Sequence, residues 1–181
     1  MSISAEIWIS HEYVTVPCNL RVSINNIVKF DGYAQDRILF EFDTLPTDYC
    51  LTICVYNRNE STATQVDLNG NIIKNTYVGI DNIILDNIMM RNLLQTQGDI
   101  QVDWLQNPMA LDYIIKQGHD PTNWCNNSTC LALNCSYNFK FQYPIDQWVM
   151  SKKDQIYTGY VFKNLMGSDN NLLTRLKNKL K

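Results

Sequence analysis

Tyr49-Cys50-Leu51-Thr52-Ile53-Cys54-Val55-Tyr56 is the stretch that decides the fold. β-branched and aromatic residues dominate it, and it opens just after the turn residues Pro46-Thr47-Asp48, so it reads as a central β-strand. Upstream, Ile7 and Ile9 bracket Trp8. Leu20, Val22 and Ile24 alternate with Arg21, Ser23 and Asn25, and Ile38, Phe40 and Phe42 alternate with Leu39 and Glu41. This period of two is that of half-buried strands. Downstream, Tyr77 to Leu85 reads as a further strand, and Tyr137-Asn138-Phe139-Lys140-Phe141-Gln142-Tyr143 puts four aromatic rings on one face before Pro144 ends the run. The next segment, Ile145 to Met150, closes the domain with Trp148.

The connections are written in Asn, Asp and Gly. Asn25-Asn26, Phe30-Asp31-Gly32 and Asn69-Gly70 read as hairpin punctuation, and Asp81-Asn82 and Asp86-Asn87 separate three short apolar groups. Asn107-Pro108 followed by Met109 to Gln117 and then Gly118 fits one short internal helix. Near the end of the chain, Ser168-Asp169 can cap a helix whose Leu172, Leu173, Leu176 and Leu180 form an apolar stripe. Arg175, Lys177, Lys179 and Lys181 favour its C-terminal end through the macrodipole. A helix of about fourteen residues is marginal alone in water, so this one needs a surface to lie against. Leu172, Leu173, Arg175, Leu176, Lys179 and Leu180 are therefore the expected partner-binding residues. The fold expected is mainly β: an antiparallel, jelly-roll-like β-sandwich over residues 1–150, with the short internal helix, and a C-terminal attachment segment over 151–181 carrying the amphipathic helix.

Composition bounds the function. The 181 residues are 45% hydrophobic and 18% charged with a net charge of -3, enough for one well-buried core or two small ones and unlike disordered, collagen-like or coiled-coil chains. The mean hydropathy is -0.24 and no apolar run reaches the roughly 18 residues of a transmembrane helix, so no membrane partner is expected. With 15 Lys+Arg against 18 Asp+Glu, the chain lacks the basic excess that phosphate binding demands, and nucleic acid is disfavoured as a partner. The start, Met1-Ser2-Ile3-Ser4-Ala5-Glu6-Ile7, has no basic or apolar signal region. The expected compartment is cytoplasmic, with the six cysteines as reduced thiols.

The chemistry-bearing residues form no motif. His119, Cys125, Cys130 and Cys135 offer soft ligands, but intervals of five place successive side chains on opposite faces of an extended chain, whereas compact zinc sites pair ligands two to four residues apart, so small buried thiols or one local disulfide is the better reading. Cys50 and Cys54 would stand about 13 Å apart at strand rise, too far to bond each other, and read as core. His11 and His119 sit in no nucleophile motif, and the four glutamates Glu6, Glu12, Glu41 and Glu60 mark no evident pair. Asp67, Asp81, Asp86, Asp99 and Asp103 could offer oxygens to calcium, yet Asp67-Leu68-Asn69-Gly70-Asn71 departs from the EF-hand pattern and reads better as a turn. The expectation is no enzyme, no metal and no cofactor. Trp104, Trp124, Tyr113 and Tyr137 are the aromatic residues that could stack on sugar or contact protein, Trp104 and Trp124 above all because their context is loop-like.

Asp67 to Lys74, Ile80 to Ile88, Phe139-Lys140-Phe141 and Trp148 together resemble small proteins of tailed bacteriophages, especially marine ones, whose jelly-roll-like sandwich is similar to calcium-dependent carbohydrate-binding modules. The resemblance covers residues 20–150. It implies a non-enzymatic virion structural or accessory protein of the head, neck or tail, assembled in the host cytoplasm. Such a protein is present as a homo-oligomer or in many copies and docks to other virion proteins through the C-terminal helix and second-half loops. The alternative it implies is a carbohydrate-binding module for host attachment, calcium-dependent or not, with a glycan partner stacked on Trp104 and Trp124.

Overall fold

A computed structural model describes residues 2–44, 47–69, 71–123 and 128–153. The strands are β1 (Ser2–Glu12), β2 (Asn19–Ile24), β3 (Ile27–Tyr33), β4 (Arg37–Asp43), β5 (Asp48–Tyr56), β6 (Thr64–Val66), β7 (Ile72–Asn75), β8 (Tyr77–Leu85), β9 (Ile88–Met89), β10 (Gly98–Val102), β11 (Cys130–Leu131) and β12 (Cys135–Gln142). Between and after them lie the short helices α1 (Glu60–Ala63), α2 (Leu94–Gln97), α3 (Pro108–Lys116) and α4 (Ile145–Ser151). The α4 helix crosses the boundary expected at 150. The C-terminal stripe Leu172 to Leu180 lies outside the described residues, as does Trp124.

Two antiparallel sheets face each other. Sheet A runs β11-β8-β1-β4, with β9 also on β8, and sheet B runs β10-β12-β5-β2-β3. A β6–β7 hairpin stands apart from both. The chain changes sheet between β1 and β2, β3 and β4, and β4 and β5, so neither sheet is built from one continuous meander. This is the expected antiparallel sandwich.

The opening stretch is the middle strand of sheet B. Its Tyr49, Leu51, Ile53 and Val55 turn inward and are buried. Cys50 and Cys54 share the opposite face with Thr52 and are only partly buried, which corrects their assignment to the core. On the neighbouring strand Tyr137, Phe139 and Phe141 are buried, so Tyr137 is a core residue and not part of an aromatic surface. Its hydroxyl donates to Leu94 O at 2.6 Å. Gly98 makes room for that contact, since a Cβ there would come within 2.2 Å of the Tyr137 hydroxyl and 2.4 Å of Leu94 O. Tyr49 stacks on Phe141 with centroids 5.1 Å apart, and Trp148 of α4 packs edge-on against Phe139 at 5.9 Å.

Turn chemistry explains the connections. Asn25 (φ 47) and Asn26 (φ 68) form the two-residue link from β2 to β3, and Asp86 (φ 52) and Asn87 (φ 65) the link from β8 to β9. Both are left-handed pairs matched to the twist of a hairpin. Phe30-Asp31-Gly32, by contrast, is interior to β3 and paired with Leu20 to Val22, because the turn it was expected to make is already supplied by Asn25-Asn26. Asp81-Asn82 is interior to β8. Internal helices are more numerous than the single one expected. The expected one, α3, ends as foreseen at Gly118 (φ 77), with Gly118 N donating to Ile115 O and His119 N to Ile114 O.

Phe139→Ala removes a fully buried ring and is expected to cost about 3–5 kcal/mol in urea unfolding, whereas Lys140→Ala on the exposed face should change stability by less than about 0.5 kcal/mol.

Candidate functional site

On β1, Ile7 and Ile9 point into the core, so Trp8 must point out, and it is 48% exposed on the outer face of sheet A. Glu6 lies on the same face two residues earlier, and antiparallel pairing puts Arg37 of β4 directly opposite Trp8. Three side chains meet there. The Trp8 indole N–H and Arg37 Nε both donate to Glu6 Oε1, and the guanidinium carbon lies 5.8 Å from the centroid of the indole. The ring is thus pinned at its edge by a carboxylate and flanked by a cation. Neither Glu6 Oε2 nor the two Nη nitrogens of Arg37 has a hydrogen-bond partner among the described residues. One acceptor and several N–H donors therefore stand unengaged beside an exposed aromatic plane.

The third strand shapes this platform. Pairing of β1 with β8 shifts register between Trp8 and Ile9, so that Trp8 faces Asn82, Ile9 faces Ile80, and Asp81 is the extra residue. The irregularity turns Asp81 outward, where it accepts from Ser10 Oγ at 3.0 Å. Asn82 is buried opposite Trp8, and its Oδ1 finds no donor among the described residues. Leu39 and Met89 lie exposed on the row that runs through Glu6 and Ile84.

Charge sets the electrostatics. The hydrogen bond from Arg37 holds the Glu6 carboxyl below its ordinary range, with the indole adding to the effect and partial burial opposing it. Sheet B carries a smaller counterpart: Arg21 sits 4.8 Å from the Tyr56 ring centroid, its Nε donates to Asp31 Oδ2 at 2.9 Å, and the Tyr56 hydroxyl donates to Asp31 Oδ1. Asp31 is held low by Tyr56 first and Arg21 second.

The expected site residues are scattered. Trp104 is half-buried in a single helical turn, Trp104–Gln106, ahead of α3, and Tyr113 is exposed on α3 itself. Cys130 is exposed on β11, Cys135 is buried on β12, and His119 is exposed beyond α3. The acidic residues serve local structure. Asp67 Oδ1 accepts from Asn69 N and Asn71 N, both at 2.8 Å, which makes it the organiser of the turn, and Asp103 caps Leu105 N. Among the described residues no three His, Cys, Asp or Glu side chains gather as a metal would require. Glu60 was invisible as a functional carboxylate in sequence; it caps α3 by accepting from Met109 N at 3.0 Å and Ala110 N at 2.9 Å. Trp8 was missed as a site residue, although a Trp between two isoleucines in a strand has to share the face opposite theirs.

No protein-family model matches the chain, and no curated protein matches it. Two solved structures are similar. One is vCBM60 in complex with galactobiose, 13% identical, covering 77% of this chain and 97% of that chain with a TM-score of 0.39. The other is the selenomethionine form of vCBM60, described with two circularly permuted families of calcium-dependent carbohydrate-binding modules. It is 12% identical and covers 76% of this chain and 89% of that chain, with a TM-score of 0.40.

Lowering the pH should release Trp8. Glu6 has a depressed folded-state value, so its contribution is present above the unfolded value near about 4.3 and is lost as pH falls through the lower folded value. The Trp8 indole N–H resonance, followed by NMR, should therefore titrate with a midpoint below about 4.3, and Glu6→Gln should abolish that transition.

Proposed function

We propose that this chain is a non-catalytic carbohydrate-binding domain that holds a neutral glycan against the outer face of sheet A. The observation that carries the reading is the exposed Trp8 ring, fixed by Glu6 and Arg37, while Glu6 Oε2 and the Arg37 Nη groups have no partner among the described residues. A pyranose presents an apolar C–H face and a rim of hydroxyls. The indole accepts the first, and an acceptor beside paired donors accepts the second. Because strand pairing and the shared Glu6 oxygen already orient the ring, little side-chain freedom is lost on binding. The platform's carboxylate, Glu6, is already paired with Arg37 and Asp81 accepts from Ser10, so the reading commits to binding without calcium.

A glycan array followed by calorimetry on the best hit tests this. Trp8→Ala should weaken binding by about tenfold or more, Trp104→Ala should leave it within about twofold, and EDTA should not change it. Absence of binding to any neutral glycan would overturn the reading.

A second reading, docking to other subunits of a tailed-phage particle, is favoured by a different observation. Met109 and Tyr113, one turn apart on α3, and Leu105 in the turn before it are exposed apolar side chains of the second half that a protein partner could cover. On this reading deletion of residues 167–181 leaves a folded sandwich that no longer joins the particle, and normal incorporation of the truncated chain would sink it.

A further inference from the structure

Arg58 follows β5 and is only 7% exposed. Its Nε donates to Thr76 O at 3.3 Å, and its Nη2 to Thr64 Oγ1 at 3.1 Å and Asn75 Oδ1 at 2.7 Å. All three acceptors are neutral. No carboxylate pairs with Arg58 among the described residues, and Nη1 donates to none of them. The near candidate, Glu60, is committed to the N–H groups of α3. Glu60 still acts on Arg58 through space, but among the described residues no carboxylate touches the guanidinium, and a buried guanidinium without a contacting anion is an expensive arrangement that an anion can complete.

The space for that anion is present. Arg58 lines a cleft of about 240 Å³ between residues 15–18 and 57–63, with Val16, Pro17 and Ala63 giving apolar wall and Asn59 and Thr62 giving polar wall. We infer that this cleft is a binding site for a small carboxylate, which Arg58 receives through its unused Nη1 edge. One unpaired cation matches one negative charge. A phosphate dianion would leave its second charge uncompensated in a half-enclosed site, and the cleft is smaller than the roughly 300–1,000 Å³ of sites for drug-sized ligands. The carboxylate can be that of a free acid or of a sugar acid of one ring. The site is independent of the Trp8 platform and does not rest on it.

The test is a titration of the full chain followed through the Arg58 Nε–H and Ala63 and Thr76 amide resonances, with sodium acetate, D-galacturonate, methyl galactoside and inorganic phosphate as separate probes. The proposal expects saturable shifts with both carboxylates and none with the neutral galactoside. Tighter binding of galacturonate identifies a sugar acid as the occupant, and equal or tighter binding of acetate a free acid. Arg58→Gln should weaken carboxylate binding more than tenfold. Because that variant also loses a buried clamp, Val16→Trp serves beside it: Val16 is 60% exposed, and the larger ring should block the cleft mouth and weaken binding about tenfold without disturbing Arg58. Equal shifts with methyl galactoside, response to phosphate alone, or unaltered acetate binding in Val16→Trp would each overturn the site. Loss of glycan binding in Trp8→Ala would leave these shifts unchanged, so the two proposals fail separately.

Discussion

The satisfaction of polar groups buried where the loops meet the sandwich is the constraint on which the segments around Arg58, Asn107 and Asn134 depend. Asn134 and Asn107 are both buried. Asn134 Oδ1 accepts from Arg58 N at 2.8 Å, and its Nδ2 donates to Arg58 O at 2.8 Å and Gln106 O at 3.2 Å. Asn107 Oδ1 accepts from Asn134 N at 3.0 Å, while its Nδ2 donates to Asp103 O and Asn134 O. Two amides thus close the backbone groups of three segments that no strand ladder could reach. They leave Arg58 with a fixed backbone, and its side chain extends that order to the β6–β7 hairpin through Thr64, Asn75 and Thr76. Loss of any member would orphan buried groups on the others, so the network behaves as a unit.

The two outer faces obey a different rule. Alternation sends one residue in two to solvent, and on each sheet an aromatic ring, an arginine and an acid meet on neighbouring strands: Trp8, Arg37 and Glu6 on sheet A, and Tyr56, Arg21 and Asp31 on sheet B. Exposed ion pairs of this kind add little to stability. What they add is orientation, since a ring held at its edge and flanked by a cation has few rotamers left. The sheet A group differs in the size of its ring and in an acceptor, Glu6 Oε2, left over among the described residues, whereas both Asp31 oxygens are engaged.

The sequence and the structure agree where the physics is local. Period-two alternation placed β1, β2, β4 and β12, β-branched and aromatic composition placed β5, and Asn25-Asn26 and Asp86-Asn87 marked real hairpins because left-handed pairs fit there. Phe30-Asp31-Gly32 misled because glycine inside a strand looks like a turn until its partner strand is known. Cys50 and Cys54 misled because hydrophobic character was read ahead of parity, which puts them with Thr52 on the outer face. The Trp8 platform was half legible: its outward direction followed from Ile7 and Ile9, but Arg37 came to it only through strand register. The Arg58 network was not legible at all, since its Asn134 bonds span 76 positions and depend on how loops close over the core.

Arg37 and Arg58 show how burial converts one side chain into two kinds of recognition. Arg37 lies in water beside Glu6, where charge is screened and already neutralised, so its remaining N–H groups act as oriented dipoles that suit uncharged hydroxyls. Arg58 is buried and among the described residues donates to neutral acceptors only, so its charge is offset by Glu60 through space rather than by contact. The same guanidinium fork therefore selects by shape and stacking at the sheet face and by charge in the cleft. The two arginines lie on separate elements, β4 for one and the segment after β5 for the other, so a substitution at one leaves the other's surroundings in place.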